Sequence, residues 1–252
     1  MKYISTLQQN SRFVLAITLL ACVVPFCGSN QPSPHASHFS PFTSQLTPQK
    51  DTPLKDSLAR LNDSIRLFPR NTDFRLKKAA LNIELFQWDY AIEEYGRVLQ
   101  LDPNNLAALY FRAYAHTHER HYDQARNDYE AFLAIMPRHF EAQLGLAMLK
   151  RKMHRSMDAM EDLNKLVQMF PDSAMAYAAR AGYEVELKQY DVALFDWEEA
   201  IKRNPENVEF LVSKVDVLIE LKRYAEAWQL IEEAMKKGVP RAALKPWIDK
   251  CK

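Results

Sequence analysis

The stretch Leu106–His139, LAALYFRAYAHTHERHYDQARNDYEAFLAIMPRH, is 34 residues long and reads as two helices separated by a turn. Apolar residues at helical spacing predict a first helix near Ala107–Glu119 and a second near Tyr122–Met136. Pro137 ends the second helix, because proline cannot donate to the backbone ladder and disfavours helical geometry in the residue before it.

The stretch recurs along the chain. Pro69, Pro103, Pro137, Pro171 and Pro205 stand 34 residues apart, and Ala91, Ala125, Ala159, Ala193 and Ala227 keep the same period. Two residues past each proline come Asn71, Asn105, His139, Ser173 and Asn207, all but the histidine good N-caps for a following helix. The alanines fall where two helices cross closely and a larger side chain would push them apart. Their counterparts in the first helices are Ala79, Ala113, Ala147 and Ala181, with Val215 last. Large residues to fill the gap between neighbours are Tyr95, Tyr129, Leu163, Trp197 and Ile231. A further aromatic layer is expected from Trp88, Tyr122, Tyr190 and Tyr224, with Ser156 the exception. Full repeats start at Thr72, Leu106, Phe140, Ala174 and Val208, after a lone second helix at Pro53–Phe68. The last repeat drifts, with Pro240 one residue late, and Arg241–Lys252 reads as a short capping helix.

Composition agrees with this reading. Five glycines against 13 prolines, and few alternating β-branched runs, suit helices joined by proline-marked turns. A net charge of +1 gives no global reason to expect nucleic acid. Three cysteines, two of them in the first thirty residues, provide no disulfide framework, so helix packing must hold the fold.

The amino terminus differs in kind. Lys2 and Arg12 precede the apolar run Phe13–Phe26, which is too short to span a bilayer and is interrupted by Pro25. Residues 1–27 therefore read as a secretory signal. Leu19-Leu20-Ala21-Cys22 resembles a bacterial lipobox, which makes Cys22 the expected lipidation site, with Cys27 the alternative. Residues 28–50, rich in Ser, Pro, Thr and Gln, read as a flexible tether, and residues 51–252 as the folded domain. The expected location is the cell envelope, as a membrane-anchored lipoprotein or a secreted protein.

The alanine, the large residue four positions on, the proline eight further on and the period of 34 together resemble the tetratricopeptide repeat. The first half departs from the family pattern, with alanine for glycine and Lys78, Arg112, Arg180 and Lys214 at the leucine position. The resemblance implies an all-α, right-handed superhelical solenoid of antiparallel helix pairs: five full repeats, a half repeat and a carboxy-terminal cap. It implies a non-catalytic protein-binding scaffold, with peptide held on the inner face by the second, fifth, ninth and twelfth positions of each first helix. Those positions include Leu76, Ala80, Ile83, Tyr110, Tyr114, Glu141, Leu144, Met148, Arg151, Met175, Gly182 and Asp216. The Lys/Asn/Arg set with which chaperone-binding members grip a terminal carboxylate is missing. An aromatic and methionine-lined groove remains, suited to apolar or helical peptide segments.

Other chemistry is thinly supported. His116, His118, Glu119 and His121 are a dense cluster, but they lack the spacing that sets two imidazoles on one helical face, and solvated histidines are the plainer reading. No nucleophile triad, glycine-rich phosphate loop or paired-cysteine motif occurs, so neither a catalytic residue nor a cofactor or small-molecule substrate is expected. The basic end, Lys236, Lys237, Arg241, Lys245, Lys250 and Lys252, reads as a solvated cap. The rival functions are an assembly subunit of an envelope complex, using its convex face or ends, and a metal-dependent activity at the histidine cluster.

Overall fold

A computed structural model describes residues 48–251. The expected signal, Cys22, Cys27 and most of the expected tether lie outside the described residues. Among those described there are twelve helices and no strand. They fall into two compact units that meet in sequence at His154 and Arg155. The N-terminal unit holds α1 (Pro48–Leu67), α2 (Thr72–Glu84), α3 (Trp88–Leu101), α4 (Leu106–His118), α5 (Tyr122–Ile135) and α6 (Phe140–Lys152). The C-terminal unit holds α7 (Ser156–Met169), α8 (Ala174–Glu186), α9 (Tyr190–Arg203), α10 (Val208–Glu220), α11 (Tyr224–Lys236) and α12 (Lys245–Lys250). Each helix packs chiefly on its neighbours in sequence: α1 on α2, α2 on α3 and so on to α6, and likewise from α7 to α11.

First helices begin at Thr72, Leu106, Phe140, Ala174 and Val208, the five starts that the period of 34 predicts. The lone helix α1 starts earlier than expected, at Pro48, and ends at Leu67. The cap is shorter than expected, since turns occupy the chain from Pro240 and the helix begins only at Lys245.

The repeating residues hold the stack as their sizes require. All five second-helix alanines are fully buried, as are Ala79, Ala113, Ala147 and Ala181. Tyr95, Tyr129, Leu163, Trp197 and Ile231 are buried as well. The first-residue aromatics form no buried layer: Trp88, Tyr122 and Tyr190 are half-buried and Tyr224 is exposed. They are the first residues of their second helices.

Caps fix where each first helix starts and stops. Asn71, Asn105, Ser173 and Asn207 each accept a hydrogen bond from a first-turn backbone N–H, and His139 does the same through Nδ1, accepting from Ala142 N at 3.3 Å. At the other end the chain reverses through Phe86, Arg120, His154, Lys188 and Lys222, all left-handed with φ between 57° and 60°. The residue after the reversal closes the six-residue ring typical of this cap, as in Gln189 N to Glu184 O at 2.8 Å.

The departure from the family pattern at the leucine position has a structural reason. Lys78 Nζ donates to Glu94 Oε1 at 2.9 Å, sixteen residues on. Arg112 grips Asp128 with both Nε (2.8 Å) and Nη2 (2.6 Å), and Arg180 grips Asp196 in the same way at 2.6 and 2.8 Å. A cation in the first helix and an acid in the second thus form a polar seam through the first, second and fourth pairs, and Arg75 adds a second bond to Glu94 at 2.9 Å. Burial works against the Glu94 carboxylate, but the bonds from Lys78 and Arg75 outweigh it and hold its pKa below the usual value. The fifth repeat has Leu230 where the acid would stand, and Lys214 turns instead to Glu198 at 3.4 Å. The third repeat has Leu146 at the cation position, the residue type of the family pattern.

Candidate functional site

The inner-face positions are not alike. In the N-terminal unit Leu76 and Ile83 pack against the core formed by Ala79, Ala91, Tyr95, Val98, Ala108 and Ala115, and Ala80 is half-buried. Tyr110 and Tyr114 are 9% and 8% exposed, so the two aromatic side chains expected to line the groove are in the core. The Tyr110 ring lies 5.2–6.1 Å from the rings of Phe111, Tyr129, Phe132 and His139. Tyr114 is edge-on to Trp88 at 5.9 Å and to His118 at 4.6 Å, and desolvation pushes its phenol up to about 12.

Helix α6 is different. Glu141, Leu144, Met148 and Arg151 follow one another at helical spacing, and each is half-buried. An aliphatic side chain and a thioether are thus flanked by an acid at one end and a guanidinium at the other, a row able to take an apolar segment with a polar residue at each side. In the C-terminal unit Met175 and Gly182 are half-buried on α8. Asp216 on α10 is engaged by the cap: Trp247 Nε1 donates to its Oδ1 at 2.6 Å, and desolvation raises its carboxyl above the ordinary aspartate value despite that bond.

The histidine cluster is dispersed rather than simply solvated. His118 leaves it to stack on Trp88, with ring centroids 4.1 Å apart and planes within 8° of parallel. His118 as a whole is exposed, but desolvation of its stacked ring, with a smaller contribution from Lys152, pushes its pKa down to about 4. His116 and His121 lie 5.6 Å apart by ring centroid, and His116 Nδ1 is buried without a hydrogen-bond partner. Among the described residues no group of three or more His, Cys, Asp or Glu side chains is placed to hold a metal ion. One imidazole of the cluster is committed to an aromatic stack, so its side chains do not converge on one point. Of the basic end, Lys236, Arg241, Lys245 and Lys250 are exposed, and Lys237 reaches Glu206 at 3.7 Å.

Two features escaped the sequence. The acids Glu94, Asp128, Asp162 and Asp196 recur at the period of 34, a signal complementary to the basic residues at the leucine position. Exposed apolar residues on a second helix, Val192 at 53% and Phe195 at 61% on α9, lie outside the expected groove. No described helix is long and apolar enough to cross a membrane.

Comparison with known proteins agrees with this architecture. Residues 141–173 and 183–242 each match a tetratricopeptide repeat model. Small glutamine-rich tetratricopeptide repeat-containing protein 2 of Saccharomyces cerevisiae is 29% identical over 109 residues, 42% of this chain and 31% of that protein. The chain thus spans under a third of the length of the curated relative it matches, at 31%. Among solved structures, a tetratricopeptide repeat protein from Parabacteroides merdae superposes with a TM-score of 0.61 at 19% identity, covering 81% of this chain and 79% of that one. Yeast Tom70 gives 0.60 at 14% identity, with 77% and 42% covered. YrrB, described as a tetratricopeptide repeat protein with an unusual peptide-binding site, gives 0.51 at 15% identity, with 74% and 96% covered.

Proposed function

Starting from the tetratricopeptide repeat family, which these matches support for the chain, we propose that it is a non-catalytic scaffold for a partner protein. A peptide or helical segment of that partner lies along first helices, and the amino terminus brings the scaffold to the cell envelope. The observation that carries the binding surface is the row Glu141, Leu144, Met148 and Arg151 on α6, half-buried and of mixed apolar and charged character. The peptide-binding site named for YrrB supports a role of this kind for the fold. The lipobox-like residues before Cys22 support the anchored form, with secretion as the alternative. Intact-mass analysis of membrane-extracted protein decides between them: a lipidated chain starting at Cys22 is expected, and an unlipidated start at or beyond Cys27 overturns it.

A second reading is an assembly subunit that docks through its second helices, favoured by the exposed pair Val192 and Phe195 on α9. Photo-crosslinking residues placed at Leu144 and, separately, at Val192 discriminate the two in the native host. A single partner joined at 144 and absent at 192 supports the first-helix surface, and the reverse pattern supports the assembly subunit.

A further inference from the structure

All seven histidines of the chain lie at or before His154, so the C-terminal unit has no imidazole. Each unit nevertheless has, at one equivalent place, a titratable group with a buried, unpartnered atom. Four residues after the seam's cation position, one helical turn along the same face, stand Asn82, His116, Lys150, Glu184 and Leu218. Asn82 Nδ2, His116 Nδ1 and Glu184 Oε2 are all buried without a hydrogen-bond partner.

Glu184 shares one guanidinium with a second carboxylate. Arg180, on its own helix, is already bonded twice to Asp196 of α9 and once to Asn164 of α7 at 3.0 Å. Glu184 Oε1 comes no nearer than 3.9 Å to Arg180 Nε, and the side-chain hydrogen bond linking Glu184 to Asp196 requires a proton between the two carboxyls. One cation thus faces two buried acids, and the less well bonded acid is the one pushed toward its protonated form. His116 is the converse case. It faces Asp128 from α5, His121 just before that helix and Arg112 from its own helix, and Arg112 already holds Asp128. A proton on His116 would add buried positive charge beside a satisfied ion pair. His139 adds to the effect, because its Nδ1 can cap Ala142 N only while unprotonated, and desolvation of the ring outweighs the opposing Glu141 carboxylate at 3.4 Å.

We propose that pH acts on the two units in opposite senses, acid loosening α4–α5 of the N-terminal unit and alkali loosening α8–α9 of the C-terminal unit. The shifts agree in direction. Burial lowers His116 and His139, whereas burial and Asp196 raise Glu184 to about 7. For a raised acid, stability is present below the unfolded pKa and is lost as pH climbs to the folded one, here from 4.5 to about 7. For a lowered histidine, stability is present above 6.5 and falls as pH drops below that value.

Hydrogen exchange of the full chain at about pH 5.5 and about pH 8, corrected for intrinsic rates, tests this. Amides of α8–α9 should be about tenfold better protected at the lower pH, and those of α4–α5 better protected at the higher. The Glu184→Gln variant should abolish the first difference and leave the second, and His116→Gln should shrink the second alone. Equal protection of α8–α9 at the two pH values, or a dependence of the same sign in both units, overturns the proposal. Should a variant fold poorly, the wild-type profile still decides, as does the carboxyl carbon shift of Glu184, which must titrate near neutrality.

Discussion

Tyr129 lays its phenol against the backbone of α6 at Gly145, where an added Cβ would stand 2.8 Å from Cζ and 2.9 Å from the hydroxyl oxygen. The ring is buried and edge-on to Tyr110, so it cannot retreat without disturbing that neighbour. Alanine is ordinarily the better helix former by about 1 kcal/mol, but overpacking a tight contact costs about 1–3 kcal/mol. Gly145→Ala is therefore expected to destabilise the protein. Gly96→Ala, whose Cβ would meet Arg112 Nη1 at an ordinary 3.7 Å, is expected to stabilise it by about 0.5–1 kcal/mol. Denaturant midpoints of the two variants should move in opposite directions.

The Arg112–Asp128 pair tests whether the seam stabilises the fold or only specifies it. The Asp128 carboxylate is largely buried and accepts from two nitrogens of one guanidinium. Arg112→Leu leaves that carboxylate without its cation and should cost about 3–5 kcal/mol. Arg112→Leu with Asp128→Leu removes both charges and should recover most of the loss, since a well-packed apolar pair is often as stable as a buried ion pair. A double variant as unstable as the single would show that the seam is needed for more than mutual neutralisation.

At the left-handed reversals side chains stand where glycine is the usual choice. A left-handed residue other than glycine costs about 1–2 kcal/mol, partly offset by the entropy that glycine loses on folding. Lys188, with φ of 59°, is exposed, so its side chain is largely free of packing obligations. Lys188→Gly should raise stability by up to about 1 kcal/mol, and Lys188→Val should lower it by at least as much, measured by thermal melting.

Much of the architecture was legible because it depends on residues with few alternatives. Proline at 34-residue intervals ends a helix wherever it falls, and Ala125 or Ala193 at a crossing admits nothing larger, so period and size together gave the helix starts. The reversals were not legible, since Phe86, Arg120, His154, Lys188 and Lys222 share a backbone conformation but no side-chain chemistry. The seam was half legible: the cations stood out as departures, while their acids looked like ordinary polar residues on a solvated face. The groove was the least legible part. Register fixes which side of a helix a residue leaves from, but not whether its ring turns inward, and Tyr110 and Tyr114 both find aromatic partners within their own unit.

That inward turn changes what the tyrosines can report about binding. A surface tyrosine cut to alanine would weaken capture and leave folding intact, but Tyr114 is 8% exposed and packed edge-on against Trp88 and His118. Tyr114→Ala should cost about 3–5 kcal/mol by opening a cavity in the N-terminal unit. Any loss of binding would then follow from unfolding. Met148 is the sounder probe, since it is half-buried on α6 and sits one turn after Leu144 and close to one turn before Arg151. Met148→Gln keeps length and helix propensity and exchanges an apolar thioether for an amide. It should shift the melting temperature by only a few degrees, an effect below about 1.5 kcal/mol, yet weaken partner capture about tenfold if the α6 row is the docking surface. Full capture by a stably folded Met148→Gln protein would move the binding surface away from α6, and the exposed pair on α9 would be the next place to test.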